Sequence, residues 1–331
     1  MDILLNEDYS KVNEIDFIDW SALHDKTIYI TGATGLIGKT IVKLISYIGR
    51  QKQLNIKMIL LVRSLRHAKE LFLEEIGCGE IELAEGNVEH LPEIKQNVDY
   101  IIHGASQTDS RMFIDHPTQT IETAVIGTNN LLKMAEHKKV LGFVYLSSME
   151  VYGTPERGHK VTEEDIGKLL PTDSRNSYPI SKLLCEALCC AYSCERGVPT
   201  RAVRLAQTYG PGVHHNDKRL FAYIGQCVRE KKSIVLRTKG DSERSYLYSI
   251  DAAIAILTVL LKGKDGEIYN VADENTYCSV SEMAEQIAKE YGLAVEYENG
   301  NAKESGFPET FYLDLDTNKI RSLGWKPAYG M

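Results

Sequence analysis

Apolar residues along the chain gather into short continuous runs, set apart by longer stretches in which they recur every three to four positions. Thr27-Ile28-Tyr29-Ile30 is β-branched and aromatic and predicts a buried strand. A glycine-bearing turn follows, and Lys39 to Gly49 then takes up helical periodicity. Met58-Ile59-Leu60-Leu61-Val62 predicts a second strand, and Arg66 to Ile76 a helix. Strands are predicted again at Ile81-Glu82-Leu83-Ala84, at Val98-Asp99-Tyr100-Ile101-Ile102 and at Phe143-Val144-Tyr145-Leu146, with a long helix from Thr118 to His137 before the last. Strands alternating with helices build parallel βαβ units. Right-handed crossovers then give an α/β chain with a doubly wound parallel sheet, whose ligands sit at the carboxyl ends of the strands.

The pattern loosens after about residue 208, where Tyr209-Gly210-Pro211-Gly212 makes a turn and the loops become polar. We expect a helical preface over 1–24 and a dinucleotide-binding domain over 25–207, to which 244–262 returns. A smaller C-terminal α/β substrate-binding region is expected over 208–243 and 263–331.

Composition narrows the function classes. The 331 residues are 43% hydrophobic and 25% charged with a net charge of −8, which suits a core-forming protein and argues against nonspecific nucleic-acid binding. The apolar run Ala252 to Leu261 is too short to span a membrane, and the acidic start, Asp2, Glu7 and Asp8, is unlike a secretory signal. Seven cysteines, an odd number without scaffold spacing, suit a reducing, cytoplasmic setting. Cys185, Cys189, Cys190 and Cys194 lie in a helical stretch and read as packing residues; no metal is expected.

The chemistry starts at Thr31-Gly32-Ala33-Thr34-Gly35-Leu36-Ile37-Gly38, between the first strand and its helix. Gly32 allows the tight turn, Gly35 close approach of a pyrophosphate, and Gly38 close packing of helix on strand. The helix start, with Thr34, Leu36 and Ile37, offers N–H groups and a positive dipole end to phosphate. This context marks a sheet of Rossmann type. At the end of the second strand, where an acid would hold the ribose of NAD, stand Arg63 and Ser64. An arginine there pairs with a 2′-phosphate, which favours NADP over NAD; stacking on adenine or facing solvent is the alternative.

Tyr178 and Lys182 are four apart in a helical stretch and share a face. An ammonium beside the phenol is expected to lower its pKa and make Tyr178 a proton acceptor near neutrality. Leu146-Ser147-Ser148 ends a strand upstream and supplies a hydroxyl.

Taken with Gly86-Asn87-Val88, His103-Gly104-Ala105-Ser106, Gly127-Thr128, Ser147 to Gly153, Tyr178-Pro179-Ile180-Ser181-Lys182, Arg204 and Arg244, these stretches run nearly end to end. The chain resembles the extended short-chain dehydrogenase/reductase superfamily, in its NAD-dependent sugar-nucleotide epimerase/dehydratase branch. The resemblance implies that Gly32, Gly35 and Gly38 cradle the pyrophosphate, that Asn87 and Val88 flank the adenine, and that His103, Gly104, Ala105, Ser106 and Ser147 line the cofactor's path. It further implies Ser148 as the hydroxyl partner of Tyr178, Lys182 as holder of the nicotinamide ribose, Arg244 as the grip on the substrate's diphosphate, and Gln207 as a substrate contact. A homodimer is the family's habit.

Three positions depart from the family's pattern. Gln207 and Ala124 replace asparagines. Similar 4,6-dehydratases carry Asp-Glu before Val-Tyr-Gly, the Asp protonating the leaving hydroxyl; here the pair is Met149-Glu150. Met donates no proton, so an epimerase working through a transient 4-keto sugar is the first expectation. A decarboxylase, dehydratase or 4-keto reductase is the alternative, and a non-catalytic NAD(P)-binding sensor the remote one. Glu150 is either a base acting on the ketone or a supporting residue in a turn. His214 and His215 follow the Gly-Pro-Gly turn and read as substrate contacts or surface residues.

Overall fold

The computed structural model describes residues 3–213, 219–298 and 310–330, with side chains from residue 7 onward. Among these residues the strands, in chain order, are β1 Thr27–Thr31, β2 Lys57–Val62, β3 Ile81–Glu85, β4 Tyr100–His103, β5 Gly142–Ser148, β6 Lys160–Val161 and β7 Thr200–Leu205. They continue with β8 Gln207–Tyr209, β9 Ile234–Leu236, β10 Glu243–Tyr248, β11 Ile268–Val271, β12 Asp273–Ser279, β13 Val295–Tyr297 and β14 Tyr312–Leu315. A parallel sheet of seven strands has the order β11-β7-β5-β4-β1-β2-β3.

Period-two alternation sends neighbouring side chains of this sheet into two separate cores. Ile28, Ile30, Leu60 and Val144 pack with Ile41 and Ile45 of the helix Leu36–Gln51 and with the buried helix Ser249–Lys262. Tyr29, Ile59, Ile101 and Tyr145 face the other way, onto Leu131 and Leu132 of the helix Pro117–Lys138 and Cys185 and Cys189 of the helix Ser177–Arg196. Of the four cysteines expected to pack, Cys185 and Cys189 are buried and Cys190 is half-buried, while Cys194 is exposed; all seven are free thiols. Covered on both faces, the strands read as continuous apolar runs.

From β1 the chain winds outward through β2 to β3, then crosses back to β4 and winds the other way. The reversal falls between β1 and β4, and their carboxyl ends open the crevice in which such sheets bind ligands.

The second layer is a mixed sheet of order β12-β10-β14-β6, with β8 also beside β10. Tyr246, Ile234, Leu236 and the helices Leu220–Glu230 and Val280–Tyr291 enclose its small core. The latter helix starts on a full capping box, Ser279 with Glu282.

Three local differences from the sequence reading have physical causes. The helix expected over 66–76 is two pieces, Leu65–Leu71 and Leu73–Gly77, broken where Phe72 turns into the core. Ile268–Val271 joins the large sheet beside β7, which moves this segment out of the expected substrate region. Conversely, β6 leaves the first domain to pair with β14. The preface is tied down: Asp8 accepts a hydrogen bond from Tyr248 at 2.8 Å. The tail is tied down by Asp251, which accepts from the backbone N–H of Ala328 and Tyr329. Among the described residues no helix is long and apolar enough to cross a membrane.

Candidate active site at the carboxyl ends of the sheet

The crevice between β1 and β4 starts with the glycine turn. Gly32 has φ +73, and a Cβ on it would lie 2.6 Å from the carbonyl carbon of Gly104. Only glycine lets the turn after β1 touch the loop after β4. A Cβ on Gly38 would overlap the carbonyl oxygen of Gly32, so this glycine holds the helix against the turn. Gly35 differs: it is exposed and caps the helix Leu36–Gln51 in extended geometry. The nearest atom a Cβ there would meet is the Gly32 oxygen at 3.4 Å. Two glycines are thus required by protein contacts, and the third faces open space beside the free N–H groups of Leu36 and Ile37 at the helix start. A pyrophosphate fits this cradle of open glycine and helix dipole. Lys39, in the same first turn, donates to the oxygen of Gly212 at 2.7 Å and joins the turn to the loop after β8.

The other residues expected along the cofactor's path divide by what they already hold. Ser64 Oγ accepts from the His67 N–H and caps the following helix, while Arg63 is exposed. Asn87 Oδ1 accepts from the N–H of His90 at 2.7 Å. Val88 packs so tightly on Gly127 that a Cβ there would lie 2.5 Å from it. Ala105 N–H donates to Thr31 Oγ1, and Ser106 Oγ donates to the Gln107 oxygen. His103 is buried with both ring nitrogens engaged, by Thr31 Oγ1 at 2.8 Å and Thr128 Oγ1 at 3.1 Å. Burial, aided by the charge of Lys182, pushes its pKa down to about 3, so the ring is neutral and serves as a strut between β1, β4 and the helix Pro117–Lys138.

Tyr178 and Lys182 come from the helix Ser177–Arg196, both buried. Phe113 stacks on Tyr178 with ring centroids 4.4 Å apart and planes 5° from parallel. Ser177 Oγ donates to the Phe113 oxygen, which fixes the stack. Lys182 Nζ donates to the oxygen of Leu146 at 2.6 Å and lies 5.6 Å from the centre of the Tyr178 ring. Burial brings Lys182 down to about 8.

The expected lowering of the Tyr178 pKa is not found. Burial raises it, the Glu150 charge raises it further, and only a hydrogen bond with Ser148 opposes them. The spacing to Lys182 was legible in the sequence; the desolvation that outweighs it was not.

Ser148 Oγ accepts from the N–H of Glu150 and caps a short turn, Met149–Tyr152, that presents the carboxyl. Burial raises the Glu150 pKa, while Arg175 and Arg244 act to lower it. Met149 is buried in the apolar core, so no acid stands at that position. Ser147 points the opposite way, its hydroxyl bonded to Glu186. Glu186 makes a buried ion pair with Arg204, whose guanidinium also donates to Tyr152 Oη at 2.8 Å; Tyr152 in turn donates to Asn270 at 2.6 Å. What Ser147 has left for a cofactor is its backbone.

Arg244 sits on β10, its guanidinium 4.4 Å from the Phe311 ring centre, and its buried Nε has no hydrogen-bond partner. A buried orphan donor on a cation is costly unless a ligand satisfies it. Gln207 lies half-buried on β8, beside β10. His214 and His215 lie outside the described residues.

Sequence reasoning missed three residues. Phe113 and Glu186 carry no local signal, since their partners are distant in sequence. Arg175 carried one: it is a cation at the start of the helix Ser177–Arg196, where the dipole disfavours positive charge.

The geometry can be set beside known proteins. The model of the NAD dependent epimerase/dehydratase family matches residues 28–272. The dTDP-glucose 4,6-dehydratase of Escherichia coli is 27% identical over 324 residues, covering 91% of this chain and 88% of that protein. The human dTDP-D-glucose 4,6-dehydratase is 28% identical over 236 residues, 70% of this chain and 65% of that protein. Among solved structures, the dTDP-glucose 4,6-dehydratase DesIV of Streptomyces venezuelae with NAD bound has a TM-score of 0.76 at 23% identity, covering 92% of this chain and 93% of that one. The UDP-glucose 4-epimerase of Thermotoga maritima with UDP-glucose reaches 0.75 at 19% identity, with 92% and 94% covered. At these identities the structural likeness is one of fold. The dehydratases among the relatives fit the alternative reading of the sequence better than its first choice, the epimerase.

Proposed function

The chain belongs to the NAD-dependent epimerase/dehydratase family, and from that premise we propose a lyase that oxidises a hydroxyl of a nucleotide-diphosphate sugar to a transient ketone and then works on the neighbouring carbon through Glu150. The observation that carries this reading is the half-buried Glu150 carboxyl on the turn after β5, whose own pKa is raised by burial and whose charge raises that of Tyr178. Burying a carboxyl is expensive, and similar 4-epimerases need no acid at that place.

Gly32, Gly35, Gly38 and the N–H groups of Leu36 and Ile37 hold the pyrophosphate, and Asn87, Val88, Ala105 and Ser106 border the rest of the dinucleotide. Bound there, the nicotinamide supplies hydride acceptance and return. Tyr178 takes the proton of the sugar hydroxyl at Oη, steadied by the Ser148 hydroxyl. The Phe113 stack holds the phenol ring in one plane, and Lys182 fixes the ammonium beside it. The ketone acidifies the adjacent C–H bond, and Glu150 takes or returns the proton there. Arg244 meets the diphosphate with its unsatisfied guanidinium, and Gln207 contacts the sugar.

Arg63, exposed at the end of β2, favours NADP. A homodimer would use the paired helices Pro117–Lys138 and Ser177–Arg196, which leave Ile121 and Leu184 exposed. The epimerase remains the second reading, favoured by Met149, which offers no proton to a leaving hydroxyl.

The test is a panel of UDP-, dTDP-, CDP- and GDP-sugars followed by mass and proton NMR. Loss of water or carbon dioxide supports the lyase. A new stereoisomer of unchanged mass supports the epimerase. Clear NAD(P) binding with no turnover of any sugar contradicts both and favours the sensor.

A further inference from the structure

The turn Met149–Tyr152, which presents the Glu150 carboxyl, has the segment 163–170 laid against it. Exposure alternates along that segment: Glu163, Asp165, Gly167 and Leu169 are half-buried, while Glu164, Ile166, Lys168 and Leu170 are exposed. Such alternation marks an extended strap with one side on the protein. The closest approach is at Gly167. A Cβ there would lie 2.5 Å from the carbonyl oxygens of Val151 and Tyr152 and would overlap the Tyr152 carbonyl carbon. The turn meets the strap in the same way, since a Cβ on Gly153 would lie 2.9 Å from the Lys168 oxygen. Gly153 has φ +58, so its own backbone favours glycine, whereas Gly167 is not at positive φ. Only the closeness of the turn explains the missing side chain at 167, and the atoms in its way are backbone that cannot rotate aside.

The strap is pinned at both ends. Upstream, Glu163 Oε1 accepts from the Asn270 N–H at 2.7 Å, and the Glu163 backbone oxygen accepts from Arg204 at 3.1 Å. The same Asn270 and Arg204 bond the hydroxyl of Tyr152, the last residue of the turn. Downstream, the Leu170 oxygen accepts from Asn176 Nδ2 at 3.1 Å, and Asn176 precedes the helix Ser177–Arg196 that carries Tyr178. The strap thus runs from the turn that bears Glu150 to the helix that bears Tyr178. We propose that Gly167 is a positioning residue, whose missing side chain lets the strap seat on the turn and hold the Glu150 carboxyl at a fixed place and depth. The inference rests on the reading of Glu150 above and deepens it: Gly167 acts on the reaction through the turn.

A methyl group at position 167 has room only if strap and turn part. Parting them lets water reach the Glu150 carboxyl and weakens the burial that raises its pKa. The charges of Arg175 and Arg244, which lower that pKa, remain. The Glu150 pKa therefore falls toward the ordinary carboxyl value. The glycine turn after β1 and the bond from Lys182 to the Leu146 oxygen lie outside the contact, so cofactor binding is spared. What suffers is the aim of the carboxyl, and a small error of aim costs rate rather than affinity.

The experiment uses the full chain loaded with NAD(P) and labelled with carbon-13 at the glutamate carboxyls. The Glu150 signal is assigned by its loss in Glu150→Gln and followed against pH by NMR, which needs no substrate. In Gly167→Ala the Glu150 pKa should lie below that of the parent. Gly77→Ala, where a Cβ meets nothing within 4 Å, should leave it unmoved. Asn176→Ala frees the downstream pin without crowding the turn; it should move the pKa the same way by less, and it decides the matter if Gly167→Ala does not fold. With the UDP-, dTDP-, CDP- or GDP-sugar that turns over fastest, Gly167→Ala should lower kcat roughly 10- to 100-fold while KM and NAD(P) affinity hold. An unmoved Glu150 pKa in Gly167→Ala, or in Asn176→Ala if that variant alone folds, overturns the proposal. So does a lowered denaturation midpoint with kcat unchanged, which would make the glycine structural only. Full turnover in Glu150→Gln contradicts the reading of Glu150 instead, and the titration alone then decides on the strap.

Discussion

The two walls of the site treat polar groups in opposite ways. On the cofactor wall four polar side chains already have a protein partner. His103 is held by two threonines, Lys182 by the Leu146 carbonyl, Ser147 by Glu186, and Glu186 by Arg204. On the substrate wall the buried Arg244 Nε is an orphan, and the half-buried Glu150 carboxyl has its pKa raised by burial. The first wall is finished before a ligand arrives and the second is completed by one. Catalysis by a preorganised site needs the former; recognition of an anionic substrate supplies the reason for the latter.

The comparison breaks most sharply at Tyr178. Tyr178→Phe removes the proton acceptor and should lower kcat by about 10²–10⁴-fold. The phenyl ring still stacks on Phe113, so NAD(P) affinity should stay near its starting value by fluorescence titration. Undiminished turnover would take the base assignment away from this residue.

The next effect separates the walls by stability. Glu186→Ala strands a buried Arg204 and should cost about 3–5 kcal/mol in chemical denaturation. It should also loosen the Met149–Tyr152 turn through Tyr152, raising no KM but lowering kcat. Arg244→Ala strands nothing, since no carboxylate pairs with it. Its denaturation midpoint should hold, while affinity for a nucleotide sugar falls roughly 10- to 100-fold. If Arg244→Ala destabilised the fold as much as Glu186→Ala, the two walls would not differ.

The smallest effect is in the pH profile. Glu150 acts as a base only when ionised, and its pKa lies above the ordinary carboxyl value, so kcat/KM should fall as pH drops through that raised value. Lys182 loses its charge as pH rises through about 8, which sets the alkaline limb. Arg175 and Arg244 both hold the Glu150 pKa down, so replacing either by Ala should move the acid limb upward and leave the alkaline limb in place.

What the sequence reveals follows the same division. Gly32 and Gly38 are legible because backbone geometry within one turn dictates them, and Tyr178 with Lys182 because helical spacing alone puts them on one face. In the large sheet β7 and β11 were not read as strands, while the five strands β1 to β5 are legible as short runs rich in apolar residues. The smaller sheet is not: β6 has two residues and β8 three, too short to show alternation, and β10 gathers partners beginning at Gln207, Asp273 and Tyr312. The Glu186–Arg204 pair and the bond from Lys39 to Gly212 join distant elements, and burial of Tyr178 reverses a pKa direction that spacing alone suggests. Met149 beside Glu150 was visible from the start, but its meaning depended on learning that the Met is packed in the core.

The account's central claim is that Glu150 works at the carbon beside the transient ketone. Turnover of the nucleotide sugar accepted from the panel, run in deuterium oxide and read by NMR, tests it most directly. The account predicts one solvent deuterium at that carbon in the product and its loss, together with turnover, in Glu150→Gln, while that variant still exchanges hydride with the sugar. A product that carries no solvent deuterium there would contradict the claim and return the enzyme to simple inversion at the oxidised carbon.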